Sequence, residues 1–131
     1  MTRDLYALLM KYPEPGRVKT RLAATVGKER AAEVCRQMAE LVLQRTAPSG
    51  NEYERIVFCD PPERLHDFEA WLPGNRLLPQ RGADVGERME NAIRDLLLQG
   101  AEKVVLTGSD IPDLTGKIIS EAFAALDHAD V

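Results

Sequence analysis

Apolar residues recur along the chain with two different periods, and the alternation between them outlines a fold. "LYALLM" (5–10), "RIVFCD" (55–60) and "KVVLTG" (103–108) are short continuous apolar runs. Such runs suit strands covered on both faces, as in a parallel sheet. "NRLLPQ" (75–80) is a weaker strand candidate between the second and the third. The intervening segments carry helical spacing. Over 29–45 the apolar set Ala31, Val34, Cys35, Met38, Leu41 and Val42 returns at three- and four-residue steps. Over 84–98 the set is Val85, Met89, Ala92, Ile93 and Leu96, and over 115–127 it is Ile118, Ile119, Ala122, Phe123 and Leu126. Each makes one apolar stripe able to pack on a sheet. The alternation predicts an α/β fold, three layers (α/β/α) around a mostly parallel sheet with right-handed crossovers.

No internal repeat, low-complexity tract or linker interrupts the pattern. "APSGNE" (47–52) and "WLPGN" (71–75) read as turns inside one domain spanning residues 1–131. After the last helix, Ala129-Asp130-Val131 reads as the first step into a further strand. The sequence therefore predicts a C-terminally truncated domain, with 1–131 its N-terminal part.

Composition narrows the function. A chain of 131 residues is one domain or a large piece of one, and can bury roughly two-thirds of its unfolded surface. Apolar and charged shares of 44% and 29% are those of an ordinary globular protein. The aromatic share is only 5% and no aromatics alternate with basic residues, which argues against stacked single-stranded nucleic acid. A net charge of -4 argues against a broad phosphate-backbone footprint. Any anionic partner is therefore expected to be small. No stretch approaches membrane-spanning length. "MTRDLYALLM" has too short an apolar run, with an acid before it, for a signal peptide, so the expected compartment is the cytosol. Cys35 and Cys59 form neither metal-ligand spacing nor a dense disulfide framework, and read as buried free thiols.

Against that acidic background one stretch stands out. "KYPEPGRVKTRL" (11–22) sets Lys11, Arg17, Lys19 and Arg21 against a single acid, Glu14. It follows the first strand directly, and open α/β sheets bind ligands beyond the carboxyl ends of their strands. Gly16 supplies a permissive backbone, while Pro13 and Pro15 stiffen the turn. A helix is expected to start between Val18 and Arg21, with N–H groups free to face an anion. Lys19 and Arg21 in its first turn oppose the helix dipole at about a few tenths of a kcal/mol each. Mutual repulsion adds about half a kcal/mol per pair at about 7 Å in water. A bound polyphosphate reverses both signs. Without a ligand, the same stretch reads as a solvated loop whose cations pair with some of the 21 carboxylates. It is not a P-loop, because Pro13 and Val18 stand where the two glycines belong, nor a dinucleotide fingerprint, because Gly16 stands alone.

Two further segments carry polar groups at turn positions. In "PQRGADVGERMENA" (79–92), Asp84 and Glu87 make a capping box. Gly82 and Gly86 open the backbone to close approach, and Gln80 and Arg88 can donate to a base, ribose or phosphate. The segment reads equally as a well-capped helix with ordinary loop residues. In "VVLTGSDIPDL" (104–114), Asp110 follows Gly108-Ser109 at a strand's carboxyl end. Mg²⁺ favours one or two carboxylates plus substrate oxygens, so Asp110 can hold an ion that bridges a diphosphate. Turn chemistry before Ile-Pro is the alternative; the cationic loop one strand-end away favours the metal. His66 and His128 have no partner at ligand spacing, and no Ser-His-Asp or Cys-His arrangement is present.

Taken in order, these three segments resemble the successive motifs of small bacterial glycosyltransferase-like proteins with the nucleotide-diphospho-sugar transferase (GT-A) fold, of the radical-SAM/selenodomain-associated type. "VKTRLA" has a looser likeness to 2-phospholactate guanylyltransferases. The resemblance implies Lys11, Gly16, Arg17, Lys19 and Arg21 around nucleotide phosphates, Gln80, Gly82 and Arg88 near the nucleotide, and Asp110 as carboxylate for Mg²⁺ or Mn²⁺. Where transferases of this fold usually carry an Asp-x-Asp pair, this chain has Gly108-Ser109-Asp110. The implied activity is metal-dependent transfer from a nucleotide-sugar to an unknown acceptor. The alternatives are nucleotidyl transfer from an NTP, releasing pyrophosphate, and a nucleotide-binding module without catalysis. The open edge of the sheet would also suit a homodimer.

Overall fold

Strand β1 (Asp4–Lys11) is buried almost from end to end, and its side chains alternate between two faces of the sheet. The computed structural model describes residues 3–50 and 52–131. Tyr6, Leu8 and Met10 enter one apolar cluster, while Leu5 and Ala7 enter another on the opposite face. This two-residue period makes β1 the middle of three layers. It pairs in parallel with β2 (Glu54–Asp60) on one side and with β4 (Lys103–Gly108) on the other; β3 (Arg76–Pro79) extends the sheet beyond β2. The order is β3-β2-β1-β4, wholly parallel, as the continuous apolar runs predict.

The helices bury their expected stripes only in part: in α2 Val34 is exposed and Cys35, Met38 and Leu41 are half-buried, and in α4 Val85, Met89 and Ile93 are exposed. Helix α2 (Lys28–Thr46) packs Ala39, Val42 and Leu43 on the Tyr6 face, beside Phe68 and Leu72 from α3 (Leu65–Trp71) and its end, and Ile119 and Phe123 from α5 (Gly116–Ala125). Helix α4 (Val85–Leu98) covers the other face with Ala92 and Leu96. Fully burying a leucine such as Leu96 contributes about 2 kcal/mol. The remaining helix, α1 (Thr20–Val26), buries no residue and leans on α2 across Gly27, whose positive φ (93°) breaks what would otherwise be one helix.

Caps fix where helices start. Asp84 accepts from the Glu87 amide at 2.8 Å, and Thr115 from the Ile118 amide at 3.2 Å, satisfying donors left open at helix N-termini. Buried polar groups are likewise paired. Tyr6 and Thr107 hydroxyls share a hydrogen bond of 2.5 Å, and Tyr53 donates to the Thr46 carbonyl at 2.5 Å. The half-buried Arg55 donates to the Leu43 carbonyl, to Thr46 Oγ1 and to Asn75 Oδ1, tying the end of α2 to the turn before β3. Residues 129–131, expected to begin a strand, have no regular structure. They line a groove with Ile93, Leu97, Val104 and Leu126 along β4 at the edge of the sheet. Among the described residues, no helix is long and apolar enough to cross a membrane.

Candidate functional site

The carboxyl ends of β1, β2 and β4 fall side by side because their registers align: Lys11 stands opposite Asp60, and Leu9 opposite Gly108. Above these ends opens a cleft of about 450 Å³, within the usual range for small-molecule sites. Its charged lining comprises Lys11, Lys19 and Arg88 against Asp60 and Asp110. In a chain of net charge -4, this lining thus carries three cations against two acids. Val18, Met38, Val85, Met89 and Leu106 supply apolar walls.

The basic turn is held at both ends. The Tyr12 amide donates to the Asp60 carbonyl at 2.8 Å, and the Tyr12 ring packs edge-on against Phe68 and Trp71. The Arg64 guanidinium lies 4.5 Å above that ring and 3.3 Å from Glu14. At the far end Val18 is buried. Gly16, at φ 84°, makes the bend between them. Lys19 then adopts left-handed backbone (φ 47°, ψ 50°), and among the described residues no other non-glycine has a positive φ. That conformation costs on the order of 1 kcal/mol or more; it sets Lys19 on the cleft.

The four cations of this turn divide. Lys11 and Lys19 reach the cleft, and neither has an ion pair or side-chain hydrogen bond among the described residues. Arg17 stays exposed and meets Glu14 at 3.7 Å, while Arg21 is exposed on α1; neither lines the cleft. Glu14 thus serves Arg64 and Arg17. Helix α1 has only seven residues, so attraction for an anion rests on lysine side chains rather than on a long helix's dipole.

Gln80, Gly82 and Arg88 come together, with roles different from free donors. Gln80 is nearly buried, and its amide Nε2 donates to the Phe58 carbonyl at 3.0 Å and to the Met10 carbonyl at 3.4 Å. It bridges the ends of β1 and β2. Gly82 does not line the cleft; its carbonyl accepts from Arg88 Nε at 3.1 Å. Arg88 also pairs with Asp60, Nη1 to Oδ1, at 3.1 Å. Asp60 escapes the sequence reading because its partner lies 28 residues onward in the chain. The usable signal is an acid ending an apolar strand, the same logic that singles out Asp110.

Asp110 stands on the loop after β4. The Arg45 guanidinium donates to the Pro112 carbonyl at 2.6 Å, and Leu114 is buried, so the loop is pinned beyond it. A Cβ on Gly108 would lie 3.3 Å from Asp110 Oδ1, so the missing side chain leaves room for this carboxylate over the strand end. Among the described residues no group of three or more His, Cys, Asp and Glu could hold a metal ion. The donor set of Asp110 and the neighbouring Ser109 fits a hard cation shared with substrate oxygens, and does not fit one held by protein alone. Cys35 lines the same cleft, its thiol pushed up by burial, with Lys19 pulling it down, Asp110 raising it and Lys11 lowering it. Cys59 is buried in β2, and both cysteines are free.

A parallel α/β sheet with a cation-lined cleft at its carboxyl strand ends is the arrangement of an α/β ligand-binding protein. The chain belongs to the family DUF2064, described as an uncharacterized protein conserved in bacteria, whose model matches residues 42–131. A crystal structure of a "putative nucleotide-diphospho-sugar transferase" from Desulfovibrio desulfuricans G20 is similar at a TM-score of 0.86 and 36% identity. The likeness covers 98% of this chain and 56% of that one, so the chain spans little more than half that protein's length. The fold is thus the GT-A-like fold that the motifs imply. No curated protein matches.

Proposed function

We propose that the chain forms the donor-binding part of a transferase acting on a nucleotide-sugar. One observation carries this reading: cations from two separate segments, the basic turn and α4, converge on one strand-end cleft, and two of them, Lys11 and Lys19, have no counter-ion among the described residues. Ammonium groups without partners, next to the apolar walls Val18, Met38, Val85 and Met89, match a ligand with a diphosphate and a nucleoside. The similarity to a transferase structure supports the same reading.

In this reading Lys11 and Lys19 bind the diphosphate and stabilise the charge that builds on the leaving nucleoside diphosphate. Charges fixed in place before the reaction usually lower such a barrier more than any other single effect, because they need no reorganisation as the leaving group departs. Arg88 adds a planar donor from the opposite wall, and Gln80 keeps the ends of β1 and β2 at fixed spacing beneath. Asp110 would hold Mg²⁺ or Mn²⁺, which neutralises diphosphate charge when bound.

The test is calorimetric titration of nucleoside diphosphates, nucleoside triphosphates and nucleotide-sugars with and without Mg²⁺, into the wild-type chain and Asp110→Asn. The reading expects Mg²⁺ to tighten binding to the wild type and to leave the variant unaffected. Equal affinity with and without the ion in both proteins would sink the metal role and leave a cation-only site. Preference for triphosphates over nucleotide-sugars would redirect the reading to nucleotidyl transfer.

A further inference from the structure

Asp60 presents an electrostatic problem that the proposed function does not absorb. It is a carboxylate in the lining of a cleft read as binding anions, only 14% exposed, and it ends the strand next to that of Lys11. Coulomb's law alone makes it unfavourable there, since it repels any phosphate bound to Lys11 and Lys19. Its geometry gives the other side of the balance. Oδ1 of Asp60 sits 3.1 Å from Arg88 Nη1, while the Gly82 carbonyl takes Arg88 Nε at 3.1 Å. A guanidinium is a rigid plane, so fixing two of its nitrogens fixes the third. Nη2 has no partner among the described residues and belongs to a side chain lining the cleft.

Resting on the nucleotide-site reading, we propose that Asp60 is a positioning residue for anion binding. With the Gly82 carbonyl it locks Arg88 so that Nη2 is presented to the ligand, and this gain outweighs the repulsion from its own charge. The two effects predict opposite signs when the charge is removed. If Asp60 acted only through its charge, Asp60→Asn would tighten anion binding. As a positioning residue, Asp60 holds Arg88 by a charge-assisted bond; the neutral amide of Asn keeps an acceptor oxygen but holds the guanidinium more weakly, so Arg88 gains freedom to rotate and binding weakens.

Inorganic pyrophosphate is the probe, because it carries the charges without base or sugar. Calorimetry with the full chain is expected to show Asp60→Asn binding pyrophosphate about tenfold more weakly, the scale of one hydrogen bond to a charged group. Arg88→Gln should lose about as much, and the double variant no more than Arg88→Gln alone, because both act through one guanidinium. Arg88→Lys should not rescue, since a single ammonium cannot satisfy both anchors and still point onward. Far-UV spectra and melting temperatures of the ligand-free variants separate misfolding from lost positioning. As a second reading, ¹⁵N spectra of arginine Nε should show the Arg88 signal sharpened by exchange averaging in Asp60→Asn.

Unchanged or tighter binding in a folded Asp60→Asn would overturn the inference while leaving the function standing. Additive losses in the double variant would overturn it also. A wild-type chain that takes up pyrophosphate but no nucleotide would refute the proposed function and keep the positioning role. A wild type that takes up neither refutes both.

Discussion

Gly82 lies so close to the start of α4 that a Cβ on it would sit 2.8 Å from the Arg88 backbone nitrogen, while its carbonyl accepts the Arg88 Nε–H at 3.1 Å. Its φ of 144° is also one that side-chain-bearing residues rarely adopt. Gly82 thus lets the loop approach the first turns of α4 closely and holds the arginine of that helix.

Gly82→Ala should therefore cost about 1–3 kcal/mol of stability, from backbone strain together with the contact at the Arg88 amide. Gly86→Ala is the control, since the atom nearest its Cβ would be Asp84 Oδ1 at an ordinary 3.5 Å. Chemical denaturation of both variants decides the matter. Equal stability of the two would show that the close approach at Gly82 is not a constraint.

Lys19 couples strain to binding. Glycine takes left-handed backbone without steric penalty, so Lys19→Gly should raise the melting temperature by about 2–5 °C in a chain of this size. It should also weaken anion binding, whereas Lys19→Arg should keep binding and gain no stability. A lower melting temperature for Lys19→Gly, or binding undiminished by it, would contradict this account.

The two thiols should differ in access. Cys59 is fully buried, its thiol pushed up to about 12 by burial, with Glu69 adding to the effect. Cys35 lines the cleft. At neutral pH N-ethylmaleimide should label Cys35 slowly and leave Cys59 untouched, as read by mass spectrometry of peptides. A nucleoside diphosphate with Mg²⁺ at about ten times its Kd should slow that labelling about tenfold. Labelling at Cys35 that ignores saturating ligand would place the nucleotide elsewhere.

Alkaline pH should unfold the protein. Burial pushes the Tyr53 hydroxyl up to about 12, with Arg55 opposing the shift and Tyr6 and Glu52 adding to it; Cys59 stands at a similar value. The unfolded chain releases these protons near 10.0 and 9.0, so above pH 9 it binds fewer protons than the native state. Stability is then fully present below about pH 9 and lost as pH rises toward 12, at up to about 1.4 kcal/mol per pH unit for each group. In Cys59→Ala the decline should begin about one unit higher, which urea denaturation across pH 8–11 resolves. An identical onset would show that Cys59 does not contribute.

Most elements were legible because their signals are local. The expected strand 103–108 is Lys103–Gly108, and 55–60 extends by one residue to Glu54–Asp60. The expected helix 84–98 starts one residue later, at Val85, because Asp84 is its cap. Helix α3 was not legible: seven residues give too little repeat, and Phe68 and Trp71 declare their role only against Tyr12. The site was legible in part. Lys11 ends β1, and Lys19 and Asp110 stand on the loops that follow β1 and β4, where topology brings them together. Arg17 and Arg21 lie in the same run of cations, yet nothing in the run marks them as lying off the cleft. The double use of Gln80 on strand carbonyls and the pairing of Asp60 with Arg88 arise only from three-dimensional closure.

The central claim, that the cleft of Lys11 and Lys19 takes a nucleotide, is tested most directly by thermal stability. The wild-type chain and the Lys11→Ala/Lys19→Ala variant would be melted with nucleoside diphosphates, triphosphates and nucleotide-sugars, each with and without Mn²⁺. The account predicts a metal-dependent rise for at least one nucleotide-sugar in the wild type, about 2.7 kcal/mol at 100 times its Kd, and none in the variant. No rise with any compound, or the same rise in both proteins, would contradict it.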